Sequence, residues 1–190
     1  MLSISNPAIS AMITPGSPVV STQGVQATLA SFPEALLDRC AAFGIKVRAL
    51  GAREKYQSAS PALVRLGVNV DAWPVPPAGL FVVEERTLYL RSATPMTIAH
   101  EFGHALDRML GGGNYLSGQD RAIRSAFANA LKFVTLYAAT GFDEYFAESV
   151  RAYVGINDPA SPWPPVTRER LREVDPAMYG IVAGIFEVAA

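Results

Sequence analysis

Cysteine is almost missing from this chain: Cys40 is the only one in 190 residues. A single thiol excludes an intramolecular disulfide and any metal site built from several cysteines. Histidine is nearly as scarce, with two copies. No sign of charge dominates either. The net charge is −1 and the isoelectric point is about 6.1, so no basic surface is offered to nucleic acid. No apolar run reaches the roughly 18 residues that a membrane span requires. What is present suits a folded domain. Half the residues are hydrophobic and 17% are charged, and the length fits one domain with a sizeable core.

Met1 to Gly24 contains no Lys or Arg, and Pro7, Pro15, Gly16 and Pro18 interrupt its apolar residues. It is therefore not a conventional secretory signal. Residues 1–24 are expected to form a flexible tail ahead of a single domain over 25–190. Uncharged, Ser-rich starts of this kind also fit export without a cleaved signal, and the location stays open.

Val25 to Phe43 reads as one amphipathic helix, with Leu29, Phe32, Leu36, Leu37 and Cys40 on one side and Gly44 as its stop. Cys40 is then a buried structural thiol. Ile45 to Leu50 alternates as a strand. Gly51 to Gly79 is mostly loop, with a short helix around Ala62 to Leu66 and a stiff surface connection at Trp73-Pro74-Val75-Pro76-Pro77. Leu80 to Val83 and Thr87 to Arg91, separated by Glu84-Glu85-Arg86, form a β-hairpin. Thr94-Pro95 starts a helix as N-cap and first helical residue, and Gly111-Gly112-Gly113 ends it. Further helices are expected over Gln119 to Ala138, Phe142 to Val154, Val166 to Val174 and Ala177 to Val188, with a Pro-rich loop from Asn157 to Pro165. The layout predicts an α+β fold, mainly helical, with a small antiparallel sheet or hairpin before the helix that starts at Pro95.

That helix carries both histidines, in the run His100-Glu101-Phe102-Gly103-His104. Residues four apart share a helix face, so the two imidazoles can hold one metal ion while Glu101 reaches a water on it. A catalytic Zn²⁺ keeps three protein ligands and one open position. With no third histidine, the remaining ligand has to be another residue type. Asp143-Glu144-Tyr145-Phe146-Ala147-Glu148 is the best source. Glu144 and Glu148 share a face, and the apolar residues between them turn the acids inward. Glu144, Glu148 and Asp143 are all candidates for that ligand; a 100° turn per residue keeps Asp143 and Glu144 from facing the metal equally. An acid that is not the ligand suits an acceptor for a histidine N–H. Asp107 either orients a ligand, holds the loop at Gly111, or pairs with Arg108 or Arg151.

The run His-Glu-Phe-Gly-His-Ala-Leu-Asp at 100 to 107, followed by Glu-Tyr-Phe-Ala-Glu at 144 to 148, resembles the catalytic domain of anthrax lethal factor. It also resembles the small secreted Pro-Pro endopeptidases related to it. The resemblance covers roughly Ala78 to the C-terminus, with a possible reach back to Val25. It includes the hairpin and the segment from Arg170-Leu171 to Pro176 and Tyr179. It implies a zincin-type metalloprotease domain in which Glu144 binds zinc and Glu148 supports the site. Tyr137, seven residues before Glu144, would project into the active site; taken alone, its apolar surroundings make it a core residue. The implied activity is zinc-dependent hydrolysis of a protein or peptide substrate with Glu101 as general base, as in a secreted effector protease, from a monomer. The modules that deliver lethal factor are not in this sequence. No match can be drawn between the hairpin residues and those that set Pro-Pro preference, so no substrate preference transfers. Two other readings compete. One is an intracellular metallopeptidase that cleaves a repressor, against which Tyr137 weighs. The other is a non-catalytic, zinc-stabilised module, which would have no need of Glu101.

Overall fold

The computed structural model describes residues 6–161 and 164–189. The chain starts packing earlier than its composition suggests. Asn6 caps helix α1, Pro7–Met12, its side-chain oxygen accepting from the amides of Ala8 and Ile9. Pro7 is a helix start here rather than an interruption. Ala8, Ile9 and Met12 fall on one face of that turn and are buried in the main core. Beyond α1, Ile13 bridges Val47 and the Thr14 amide donates to the Val47 carbonyl. The segment expected as a tail is thus, from Asn6 on, part of the packed structure; Met1 to Ser5 lie outside the described residues.

The single helix expected over Val25 to Phe43 is two. Helix α2, Val19–Leu29, and helix α3, Glu34–Phe43, are separated at Pro33, which disfavours helical backbone in the residue before it. Gly44, at φ 88°, ends α3 in the left-handed conformation. Cys40 is fully buried in the main core, and burial pushes its thiol up to about 12, which leaves it inert.

Strand β1, Lys46–Ala49, follows, then short helices α4, Tyr56–Ala59, and α5, Pro61–Leu66. The expected hairpin is strand β2, Gly79–Val82, and strand β3, Thr87–Leu90. Between them Glu85 ends a 3₁₀ turn and Arg86 takes a left-handed φ of 50°. The sheet order is β1-β3-β2. The hairpin pairing is antiparallel, whereas β1 lies parallel to β3. Period-two alternation divides the sheet. Phe81, Leu88 and Leu90 face the main core, and Leu80, Val82 and Tyr89 face a smaller cluster with Tyr56, Leu63 and Val70. All four residues of β3 are buried because both its faces are covered. Trp73 and Val75 of the Pro-rich connection are exposed.

Helix α6, Pro95–Leu110, runs through the middle of the main core, where Phe102 meets Phe32 edge-on at 4.8 Å. Then come helices α7, Leu116–Gln119, and α8, Arg121–Asn129. The long helix expected over Gln119 to Ala138 stops at Asn129. Residues 130–136 are irregular, and Tyr137–Thr140 is a 3₁₀ turn. An aromatic cluster explains the break. Phe127 and Phe133 both pack on Tyr145, at 5.4 and 5.6 Å. In one helix, residues six apart point about 120° from each other and could not share that neighbour. Leu131 and Leu136 are left exposed on the irregular stretch.

Helix α9, Phe142–Val154, packs along α6, and helices α10, Arg168–Val174, and α11, Pro176–Val188, close the core behind it. Asp175 caps α11 through the Met178 amide and also accepts from Tyr145, tying α11 to α9. The fold is mainly helical with one small sheet ahead of α6. Among the described residues no helix is long and apolar enough to cross a membrane.

Candidate metal centre

Thr94 caps α6 through the Thr97 amide at 3.3 Å, and Pro95 occupies the first turn. That register sets His100 and His104 one turn apart on a single face, with ring centroids 4.9 Å apart. Helix α9 presents Glu144 and Glu148 in the same way. The two helices meet closely because Gly103 has no side chain. A Cβ there would stand 2.8 Å from the Ala147 Cα, a backbone atom that cannot give way. Gly103 and Ala147 sit inside the His pair and the Glu pair respectively, so their contact aligns the two pairs.

Three atoms converge as a result. His100 Nε2 and His104 Nε2 are 3.2 Å apart, and Glu144 Oε2 lies 3.1 Å from the first and 3.4 Å from the second. Three corners of a tetrahedron centred on Zn²⁺, each about 2.0–2.1 Å from the ion, would be about 3.3 Å apart. The triangle fits that requirement. Glu144 Oε2 is buried, yet neither imidazole gives it a well-angled hydrogen bond. His100, His104 and Glu144 form a group that could hold a metal ion; Asp143, the neighbouring alternative, is outside it.

Burial pushes the His100 imidazole toward neutrality, but close contacts with the Glu144 and Glu148 carboxylates and the charge of Glu101 reverse this and raise it to about 10. Burial raises the Glu144 carboxyl, and contacts with the two imidazoles outweigh it, leaving it far below the usual carboxylate range.

Glu148 Oε1 lies 2.9 Å from His100 Nδ1, which fixes which ring nitrogen faces the convergence point. Arg151 grips the same carboxylate, with Nε donating to Oε1 at 3.0 Å and Nη2 to Oε2 at 2.8 Å. Burial would raise the Glu148 carboxyl, yet His100 and Arg151 bring it down to about 2. His104 Nδ1 has no such partner among the described residues. Tyr137 lies beside His100, and its hydroxyl donates to Glu144 Oε1 at 2.9 Å. Half of its surface is exposed, so it lines the site rather than filling the core.

Glu101 is buried on the face of α6 toward β2. A Cβ on Gly79 would stand 2.5 Å from Glu101 Cγ, so the carboxylate packs directly on that strand's backbone. Burial raises its pKa, opposed by the charges of His100 and His104. Asp107 does not pair with an arginine. Its two oxygens accept from the Ser117 amide at 2.8 Å and hydroxyl at 2.6 Å, securing the turn after α6, and burial raises it to about 6.

The structure therefore brings His100, Glu101, His104, Tyr137, Glu144 and Glu148 into one place. Sequence reasoning missed Gly79 and Gly103, and named Arg151 only as one possible partner of Asp107, not as a partner of Glu148. Gly103 lay in plain view between the histidines, and the three-residue spacing from Glu148 to Arg151 on a helix was a usable signal for their pairing.

The donor set makes His100, His104 and Glu144 a candidate metal site on this mainly helical fold. A search of solved structures gives the Pro-Pro endopeptidase PPEP-2 from Paenibacillus alvei, with a TM-score of 0.68 and 19% sequence identity. The alignment covers 94% of this chain and all of that one. At that identity the similarity is one of fold. No family model matches the chain, and no curated protein matches it in sequence.

Proposed function

We propose that this protein is a zinc-dependent endopeptidase. The observation that carries the reading is the convergence of His100 Nε2, His104 Nε2 and Glu144 Oε2 within 3.1 to 3.4 Å of one another, with Glu101 buried beside them. The peptidase fold of the structural neighbour supports it, and the donors match the nitrogen and oxygen ligands that zinc takes. A bound zinc would supply Lewis acidity and lower the pKa of an attacking water.

The protein's own residues do the rest. Glu101 takes the proton from the attacking water and passes it to the leaving amine. Its pKa is raised by burial, the direction that makes a carboxylate a stronger base. The Tyr137 hydroxyl, now on Glu144, is placed to donate to the developing oxyanion or the leaving group. Strand β2 is an edge of the sheet and lies against Glu101, so an extended peptide can add to it through main-chain hydrogen bonds. Recognition of that kind makes the backbone, rather than one side chain, the chief handle on the substrate.

The test is cleavage of a peptide library, including Pro-Pro bonds because of the neighbour's name, by the parent protein and Glu101→Gln, with zinc content measured on both. The parent should cleave. The variant should keep its zinc and lose about 10²- to 10⁴-fold in rate. Cleavage by Glu101→Gln at the parent rate would overturn the mechanism. Zinc with no cleavage by the parent would favour a zinc-stabilised binding module.

A further inference from the structure

We infer that Arg151 is a positioning residue for the metal centre, acting through Glu148 on the orientation of His100. The inference rests on the metal-binding reading above. Arg151 is 4% exposed and Glu148 5%, so the pair is out of water. Its two-point grip occupies both carboxylate oxygens and locks the plane of the carboxylate. One of those oxygens, Oε1, also meets His100 Nδ1 at 2.9 Å. The imidazole is thereby held with Nδ1 on Glu148 and Nε2 turned toward His104 Nε2 and Glu144 Oε2. Without Arg151, Glu148 would be a buried carboxylate with one remaining partner, free to rotate about its last torsion. That freedom loosens the ring that it holds.

Arg151 has a second set of contacts that allows a control. Nη1 donates to the Ile156 carbonyl and to Asn157 Oδ1, both at 3.3 Å. Asn157 in turn clamps Val166, through the Val166 amide at 2.8 Å and its carbonyl at 2.8 Å. This arm ties the end of α9 to the segment before α10 and does not reach a histidine. A purely structural role would run through it.

Zinc affinity, measured by competition with a chromogenic chelator on the full chain, separates the two arms. Arg151→Met and Glu148→Gln should each weaken zinc binding about 10- to 100-fold, and the double variant no more than the stronger single. Arg151→Lys, which keeps the charge but not the planar two-point grip, should recover part of the loss. Asn157→Ala should lower the melting temperature and leave zinc affinity unchanged. Additive losses in the double variant, or an equal zinc loss in Asn157→Ala, would overturn the inference. A second readout needs no metal. The tag-free chain has two histidines, so its imidazole ¹⁵N–¹H spectrum can be assigned. His100 Nδ1–H should give a slowly exchanging downfield signal that Arg151→Met, or Arg151→Lys if the former does not fold, broadens or removes. An unchanged signal would also overturn the inference. If the parent binds no zinc, the peptidase reading fails while this signal still decides the role of Arg151.

Discussion

Tyr137 shows how much one hydroxyl can decide at the residue scale. Its ring is beside His100 and its hydroxyl is on Glu144, while half its surface remains open to solvent. Burial and the negative charge of Glu144 push its pKa up, so it stays a proton donor at any working pH. Tyr137→Phe is therefore expected to lower kcat about 10²-fold, as loss of a single oxyanion donor does, with zinc stoichiometry intact. Steady-state kinetics alongside metal analysis checks this, and an unaltered rate would return Tyr137 to a packing role. His100, Glu101 and His104 were legible from spacing alone because a helix places residues four apart on one face. Tyr137 was legible only by resemblance. Its helix was misread, and nothing local to residues 130–137 reveals that the chain turns back toward Glu144.

At the scale of elements, the crossing of α6 and α9 governs the site. Gly103→Ala would put a methyl group 2.8 Å from the Ala147 Cα and force the helices apart. It should cost about 1–3 kcal/mol in stability and weaken zinc binding, because the His pair and the Glu pair separate together. Gly118→Ala, in α7, meets nothing within 4 Å and serves as the control, with stability unchanged or slightly raised. Denaturant unfolding and zinc titration of both variants give the comparison. The hairpin has its own pin. Glu85 accepts from the Ser60 hydroxyl, the Ala62 amide and the Tyr89 hydroxyl, joining the turn to helix α5. Burial raises its carboxyl, but these three donors outweigh it and leave it below the ordinary value of 4.5. A depressed folded-state pKa adds stability above the unfolded value, and that stability is lost as pH falls through the folded one. Glu85→Gln should accordingly cost about 1–3 kcal/mol near neutral pH, and the gap between parent and variant should narrow once pH falls below 4.5. A gap that stays constant into acid would show that the charge on Glu85 is irrelevant.

For the molecule as a whole, the N-terminal segment is the clearest case of tertiary structure overriding composition. Met12 is fully buried and Ile9 nearly so, although both stand in a stretch rich in Ser, Thr and Pro. Met12→Ala should destabilise the protein by about 2–5 kcal/mol, the range for emptying a core site, measured by chemical denaturation. A flexible tail would show almost no effect. The reason for the misreading is physical. Three apolar residues in a single turn carry little periodic signal, and the surface they cover is built by α3 and β1, both later in the chain.

Sequence by itself determined the helix-start signal at Thr94-Pro95, the spacing of His100 and His104, the acids at 144 and 148, the buried Cys40 and the hairpin before α6. These depend on short-range geometry: caps, turns of 100° and strand alternation. Tertiary structure decided which acid meets which partner. Glu144 rather than Asp143 joins the histidines, Arg151 grips Glu148 rather than Asp107, and β1 pairs parallel with β3. It also decided that α8 ends early and that the chain is packed from Asn6 onward. Each of these depends on a surface supplied by residues distant in sequence, and helix and strand periodicity carry no information about distant partners.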